Sequence, residues 1–190
     1  MLTHRDESQF LLEMTNPLPY GIALWSATIA LAHDISSHAN AFNHKKILEL
    51  GAGTGLPGIV AASLGAEKVV QTDRNNLALS LCRRNCELNG IKTIEHRIAD
   101  WTDWNDTDKY DWILGSDILY GIDMHPHLNK IFNSNLAFGG RILLSDPFRG
   151  GSFRLLESME ENGWSIRISK WSIGEEATPR SIGVFELSKS

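Results

Sequence analysis

Short apolar runs alternate with segments of helical apolar spacing along most of the chain. The runs predict five strands, at residues 47–50, 68–72, 93–98, 110–116 and 140–145. The segments that follow them predict helices, at residues 56–64, 75–89, 128–136 and 153–162. Because strand and helix alternate, we expect a parallel sheet with helices on both of its faces.

The two ends of the chain depart from this alternation. Residues 21–35 are apolar on nearly all sides, which predicts a helix that other elements cover. Residues 165–171 and 182–187 alternate in polarity, and we expect two closing strands that pair antiparallel, because no helical spacing joins them. The prediction is therefore one α/β domain, Rossmann-like, with a seven-stranded mostly parallel sheet, helices on both faces and an antiparallel terminal strand. It covers residues 1–190, with 1–20 as an N-terminal arm and 21–40 as the covering helix.

A cluster of glycines follows the first predicted strand. It forms the pattern acidic-x-Gly-x-Gly-x-Gly with Glu49, Gly51, Gly53 and Gly55. Glycine reaches backbone conformations closed to other residues and lets a ligand lie against the main chain. The helix that follows presents free N–H groups to the turn. We therefore expect a ligand here, and a carboxylate at the strand end, Glu49, suits a cation better than a phosphate.

The spacing of the glycines separates two classes of cofactor. A dinucleotide fold has Gly-x-Gly-x-x-Gly directly after the strand. Counted from Gly51, the third glycine of that pattern would fall at Leu56. A literal match begins two residues too late, at Gly53, and ends inside the predicted helix, at Gly58. The acidic-led pattern instead resembles the first motif of the seven-strand methyltransferases. Their cofactor, S-adenosylmethionine, carries an amino group and a sulfonium but no phosphate.

Acidic and aromatic residues end the other predicted strands. Asp73 ends the second strand, where a carboxylate can accept hydrogen bonds from both ribose hydroxyls. Asp100 and Trp101 end the third, where an adenine would lie, and we favour Trp101 because its indole offers a stacking face. Asp117 and Tyr120 follow the fourth strand, where the acceptor must arrive if the methyl group of the cofactor points that way. Carboxyl ends of parallel strands share one edge of a sheet, so these residues should surround one cleft.

Composition narrows the range of partners. The net charge is −5 and the sequence pI about 5.8, so the chain lacks a global basic footprint for nucleic acid. No apolar run approaches the ~20 residues of a membrane span, and the N-terminal residues lack the apolar core of a signal peptide. We expect reduced thiols at Cys82 and Cys86, no metal site, and an exposed loop at His125-Pro-His127. A cytoplasmic monomer is the expectation.

Several segments together resemble one family. They are Pro19-Tyr-Gly21, Ala23-Leu-Trp25, the glycine motif of residues 47–58, and Ser116-Asp-Ile-Leu-Tyr120. They are similar to the lysine methyltransferase-like family 16, which includes bacterial nicotinamide N-methylase-like proteins. The glycine motif is common to all seven-strand methyltransferases. The predicted helix that contains Trp25 and the Asp-x-x-Tyr motif of Asp117 and Tyr120 are together much more specific to this family. The chain departs from the family after Trp25, where Ser26 stands in place of the usual proline.

The resemblance implies a role for each matched residue. The methionine part of the cofactor would contact Gly51, Ala52 and Gly53. The ribose would meet Asp73 and the adenine Trp101. Two further contacts are implied, from the N-terminal helix and from the fourth strand, by Trp25 and by the backbone of Ser116.

The acceptor side is less determined by the sequence. The resemblance links Asp117 and Tyr120 to acceptor binding, and Pro147-Phe-Arg149 could shape the same pocket. The expected function is transfer of a methyl group from S-adenosylmethionine to a protein lysine. A small-molecule acceptor, nicotinamide-like or another amine, is the alternative, and histidine or arginine acceptors stay open. A nicotinamide-dependent oxidoreductase is a distant alternative, as is a module that binds the cofactor without transferring anything.

Overall fold

The computed structural model describes residues 1–3, 5–6, 20–174 and 179–189. The α-helices in these ranges are α1 (Ser26–Ser37), α2 (Leu56–Ser63), α3 (Asn76–Leu88), α4 (His125–Asn135) and α5 (Ser152–Glu161). The strands of the main sheet are β1 (Lys46–Leu50), β2 (Lys68–Asp73), β3 (Ile94–Ile98), β4 (Tyr110–Ser116), β5 (Leu136–Asp146), β6 (Trp164–Ile173) and β7 (Arg180–Lys189). None of the helices in the described ranges combines the length and the apolar character needed to cross a membrane.

The main sheet has seven strands in the order β3-β2-β1-β4-β5-β7-β6. The first five strands of this sheet, β1 to β5, pair in parallel, with β1 between β2 and β4. Strand β7 lies antiparallel between β5 and β6. The predicted fold class, including the antiparallel terminal strand, is confirmed. The strand order reverses at β1, and a crevice for a ligand forms beyond the carboxyl ends of the strands at such a reversal.

The two faces of β1 bury different side chains. Ile47 packs into a cluster with residues of α1 and α2, whereas Leu48 and Leu50 pack with residues of α4 and α5. This follows from the alternation of side chains along a strand. All three are fully buried, and burial of each such side chain contributes roughly 1.5–3 kcal/mol to stability. The strand that carries the glycine turn is therefore fixed from both sides.

The N-terminal helix begins later than the sequence predicts. Tyr20–Ile22 forms a 3₁₀ turn, and Ala23–Leu24 forms a two-residue strand that pairs in parallel with Arg5–Asp6. Helix α1 then runs over Ser26–Ser37, largely buried as expected. The predicted start at residue 21 is wrong because backbone pairing with a segment distant in sequence overrides local helical preference. Most of the predicted arm, residues 7–19, lies outside the described residues.

The segment His125-Pro-His127 is the first turn of α4 rather than an exposed loop. Proline suits the first turn of a helix, where its missing N–H leaves no bond unmade. The His125 side chain is buried, and its Nε2 lies 2.9 Å from the carbonyl oxygen of Leu119. The histidine thereby ties the start of α4 to the segment after β4 that carries the predicted acceptor residues.

Candidate active site

A cleft of about 240 Å³ opens at the carboxyl ends of β1, β2 and β4. All of the site residues predicted from the sequence except Glu49 line it, namely Trp25, Gly51, Ala52, Gly53, Asp73, Trp101, Ser116, Asp117 and Tyr120. The structure therefore brings together residues from five separate stretches of the chain. It also adds residues to which the sequence assigned no role in the site, among them Tyr20, Gly21, Thr28, Arg74 and Met124.

The glycine turn has left-handed backbone at alternate positions. Gly51, Gly53 and Gly55 have φ angles of +62°, +55° and +80°, which other residues adopt only with strain. The Cys82 thiol supports the turn from α3 by donating to the carbonyl oxygen of Gly53 over 3.0 Å. The side-chain amide of Gln71 donates to the carbonyl oxygen of Gly55 over 2.8 Å. These two hydrogen bonds hold the turn in place through its carbonyl oxygens.

Three neighbours leave little space for a side chain at these glycines. A Cβ atom on Gly51 would lie 3.1 Å from Cγ2 of Ile118 and 3.4 Å from the ring of Trp101. A Cβ atom on Gly53 would lie 3.0 Å from the carbonyl oxygen of Gly21. The absence of these Cβ atoms lets Trp101 lie across the turn on one side and the N-terminal segment cover it on the other. The bare main chain of the turn forms one wall of the cleft.

Glu49 lies behind the turn and not in the cleft. Its side chain is 1% exposed, and Oε2 accepts from the Gly58 backbone N–H over 3.0 Å and from Gln71 Nε2 over 2.7 Å. A Cβ atom on Gly58 would come within 2.5 Å of that carboxyl group, so the helix needs glycine here. The expectation that Glu49 faces the ligand is therefore wrong. Its carboxyl group accepts from a backbone N–H in the first turn of α2, the part of the helix where a dinucleotide would bind its pyrophosphate.

Burial also changes the charge of Glu49. Desolvation raises its pKa to about 8, although the hydrogen bonds from Gln71 and Gly58 act in the opposite direction. At neutral pH the group is therefore mainly protonated. It supports the turn by hydrogen bonding and supplies little charge to the cleft.

We expect the pH dependence of stability to report on Glu49. The folded state holds its proton up to about pH 8, whereas the unfolded chain releases it near the usual pKa of 4.5. The contribution of Glu49 is thus fully present below pH 4.5 and is lost as the pH rises toward 8, on the order of 1 kcal/mol for each pH unit. Urea unfolding at several pH values should show a shallower decline for Glu49→Gln than for the wild type. Parallel declines in the two proteins would contradict this assignment.

Asp73 joins the glycine turn to the start of α3. Its Oδ2 accepts from the Gly53 backbone N–H over 3.1 Å, and its Oδ1 accepts from the Asn75 N–H over 2.9 Å. The N-cap of α3 is Asn75, whose side chain accepts from the N–H of Leu77 over 2.8 Å. Capping of α3 thus falls to Asn75, and the half-buried carboxylate of Asp73 faces the cleft with lone pairs to spare.

Helix α1 brings a hydroxyl group to the cleft. The Thr28 hydroxyl lies 3.0 Å from that of Ser116, and the Ser145 hydroxyl fixes the helix by donating to the carbonyl oxygen of Ala27 over 2.8 Å. At the start of α1 the Trp25 indole N–H donates to the carbonyl oxygen of Tyr20 over 3.0 Å. The sequence did not predict Thr28 as a site residue, because a single threonine in an apolar helix is indistinguishable from a tolerated core residue.

An ion pair that the sequence did not predict lies beside the cleft at Asp117. Arg149 Nε donates to Oδ1 of Asp117 over 2.9 Å, and its Nη2 donates to Oδ2 over 2.8 Å. Asp117 has a φ of +50°, and its backbone N–H donates to the carbonyl oxygen of Ser145. Tyr120 follows on the same segment and is 61% exposed. The Asp-x-x-Tyr motif thus combines an anchored carboxylate with an exposed aromatic ring.

The charges around the cleft disfavour a phosphate-bearing ligand. Among the lining residues that the structure describes, the acidic side chains are Asp73, Asp100 and Asp117, and the basic one is Arg74. Asp100 accepts from the N–H of Thr102 over 2.9 Å and is exposed, in keeping with its lower rank beside Trp101. An acidic lining favours a cationic ligand such as a sulfonium.

The chain is similar to known proteins in both sequence and fold. A family profile described as lysine methyltransferase matches residues 5–150. Protein N-lysine methyltransferase METTL21A of Xenopus tropicalis is 37% identical over 131 residues, covering 66% of this chain and 60% of that protein. Histone-arginine methyltransferase METTL23 of Xenopus laevis is 37% identical over 107 residues, covering 53% and 45%. The crystal structure of ribosomal protein L11 methylase from Lactobacillus delbrueckii subsp. bulgaricus superposes with a TM-score of 0.66 at 26% identity, over 86% of this chain and 79% of that one. The chain thus spans 45% to 60% of the length of these two curated relatives.

Proposed function

The chain belongs to the lysine methyltransferase family, and we propose that it transfers a methyl group from S-adenosylmethionine to the side-chain nitrogen of a lysine in another protein. The family expected from the motifs is thereby confirmed. Proteins of this family depend on S-adenosylmethionine. The observation that carries the proposal is one continuous cleft, which joins the glycine turn and Asp73 at one end to Asp117 and Tyr120 at the other.

The residues at the glycine end fit S-adenosylmethionine. Gly51 and Gly53 leave bare main chain where a Cβ atom would crowd its neighbours at 3.0 to 3.1 Å. The Asp73 carboxylate can accept from ribose hydroxyls, and the Trp101 ring offers a flat face for the adenine. Trp25 and Ser116 border the same space. When bound, the cofactor supplies a methyl group activated by the adjacent sulfonium.

The residues at the other end suit an amine acceptor. A lysine has a usual pKa of ~10.4, so the neutral amine needed for attack costs on the order of 4 to 5 kcal/mol at pH 7. A carboxylate beside the nitrogen can orient it, and an aromatic wall can exclude water from it. Asp117 and Tyr120 offer these two features three residues apart on one segment. Methyl transfer then depends mainly on positioning, which a preformed cleft favours.

An arginine acceptor is the second candidate. One curated relative is named for methylating histone arginine, and Asp117 already holds a guanidinium group through two parallel hydrogen bonds. Such bidentate geometry matches arginine better than lysine. We rank lysine first because the family profile and the relative that covers more of this chain are both named for lysine.

A labelling experiment tests the proposal. Purified protein incubated with S-adenosylmethionine labelled in its methyl group and a cell lysate should yield labelled protein bands, and their acid hydrolysis should release methylated lysine. Excess S-adenosylhomocysteine is the control and should suppress the signal. Label in methylarginine would move the assignment to the second candidate. Label confined to the low-mass fraction would instead support a small-molecule acceptor, and no transfer at all would overturn the proposal.

A further inference from the structure

The ion pair between Asp117 and Arg149 engages the carboxylate that the acceptor should meet. Both carboxylate oxygens accept from the guanidinium, at 2.9 and 2.8 Å. This is the bidentate arrangement that makes arginine–carboxylate pairs strong and directional. The site is therefore already shaped for a cation with N–H donors, and a cation from the chain itself fills it.

The two partners differ in their freedom to move. The Asp117 side chain is 9% exposed, whereas that of Arg149 is 45% exposed. The backbone N–H of Arg149 donates to Oδ1 of Asp146 over 2.8 Å, and Asp146 is fixed in turn by the Ser152 hydroxyl over 2.6 Å. The half-exposed arginine side chain therefore has room to rotate into solvent while its backbone stays anchored, whereas the carboxylate of Asp117 is nearly buried.

The charges around the pair favour a replacement cation. The carboxyl groups of Asp117 and Asp146 are close enough for Asp117 to raise the pKa of Asp146 further, although burial is the main cause of that rise. Arg149 is the cation that offsets both groups, and Asp117 in turn raises the pKa of Arg149. If the guanidinium leaves, a nearly buried carboxylate loses its partner, which is unfavourable unless another cation takes the place.

The position of the pair links it to the acceptor. Asp117 and Tyr120 both line the cleft that contains the glycine turn. The pKa of Arg149, which its hydrogen bonds to Asp117 mainly raise, is raised slightly further by Tyr120. On the premise of the proposed function, we propose that Arg149 is a built-in competitor of the acceptor. Its guanidinium holds the carboxylate of Asp117 until a cationic acceptor side chain displaces it. The acceptor is then an ammonium or guanidinium group when it docks, and a neutral pyridine is excluded.

Binding of small cations tests this inference without knowledge of the natural acceptor. ¹⁵N-labelled full-length protein saturated with S-adenosylhomocysteine would be titrated with n-butylammonium and with N-butylguanidinium, and n-butanol would serve as the neutral probe. Arg149→Ala should bind both cations about fivefold or more tightly than the wild type, as expected for one vacated charge-assisted site. The gain should shrink with added salt and should be absent for butanol. A larger gain for one cation would indicate which acceptor class fits.

Two further variants serve as controls for loss of charge and for the role of Asp117. Arg154→Ala removes the same charge from an exposed residue of α5 and should bind the cations as the wild type does. The double variant Asp117→Asn with Arg149→Ala should lose the gain. Equal or weaker cation binding by Arg149→Ala would overturn the inference. If S-adenosylhomocysteine fails to bind the wild type, the proposed function fails, and the same titration on the free protein still decides the role of Arg149.

Discussion

Replacement of Asp73 by alanine should weaken S-adenosylhomocysteine binding about 100-fold. We expect this carboxylate to accept from the ribose hydroxyls, and two charge-assisted hydrogen bonds at roughly 1.5 kcal/mol each give this factor. The substitution also releases the N–H groups of Gly53 and Asn75, so the turn itself loses support. Isothermal titration calorimetry on the purified variant measures the change directly.

A matched substitution separates the specific effect from loss of charge. Asp103→Ala removes the same charge from an exposed residue of the 3₁₀ turn at Trp101–Asp103, near the cleft. It should leave the affinity as it is. Asp73→Asn should fall between the two, because an amide keeps one acceptor oxygen but cannot accept at both positions. If Asp73→Ala bound S-adenosylhomocysteine as tightly as Asp103→Ala does, Asp73 would not be a cofactor-binding residue.

The local sequence predicted the parts of this site that depend on backbone conformation. Strand β4 was predicted at residues 110–116 and is observed over Tyr110–Ser116, because a buried strand between polar flanks leaves few alternatives. The glycines of the turn have the positive φ angles that their pattern required. The convergence of Asp73, Trp101 and Asp117 followed from the parallel sheet, since parallel strands present their carboxyl ends at one edge.

Side-chain partners distant in sequence could not be predicted in this way. Glu49 was expected in the cleft because it precedes the glycines, yet its cross-strand neighbour Gln71 and the N–H of Gly58 hold it behind the turn. Arg149 was linked only loosely to the acceptor pocket, and its pairing with Asp117 depends on how two loops meet. The late start of α1 has the same origin, because it depends on pairing with Arg5–Asp6. By contrast, His125 was a missed signal, since Pro126 is typical of a first helical turn.

Replacement of Asp117 by asparagine should reduce the rate of methyl transfer at least about 100-fold while S-adenosylhomocysteine affinity stays close to that of the wild type. An asparagine has nearly the same shape, so the cleft keeps its form. It loses the charge that would orient the acceptor nitrogen, and misplacement of a reacting group by about 1 Å costs a factor of this size. The initial rate of label transfer into the lysate proteins provides the measurement.

Asp123→Asn is the matched control, since it makes the same change at an exposed residue in the short turn between Asp117 and α4. It should transfer at the wild-type rate. Arg149→Ala completes the set, because an arginine that only held Asp117 in position would lower the rate as Asp117→Asn does. An arginine that competes with the acceptor should, when removed, lower the KM for a cationic acceptor and leave kcat nearly unchanged. A lower transfer rate in Arg149→Ala would thus indicate a positioning role, whereas a lower KM would indicate competition with the acceptor. The two roles can be distinguished before the natural substrate is identified.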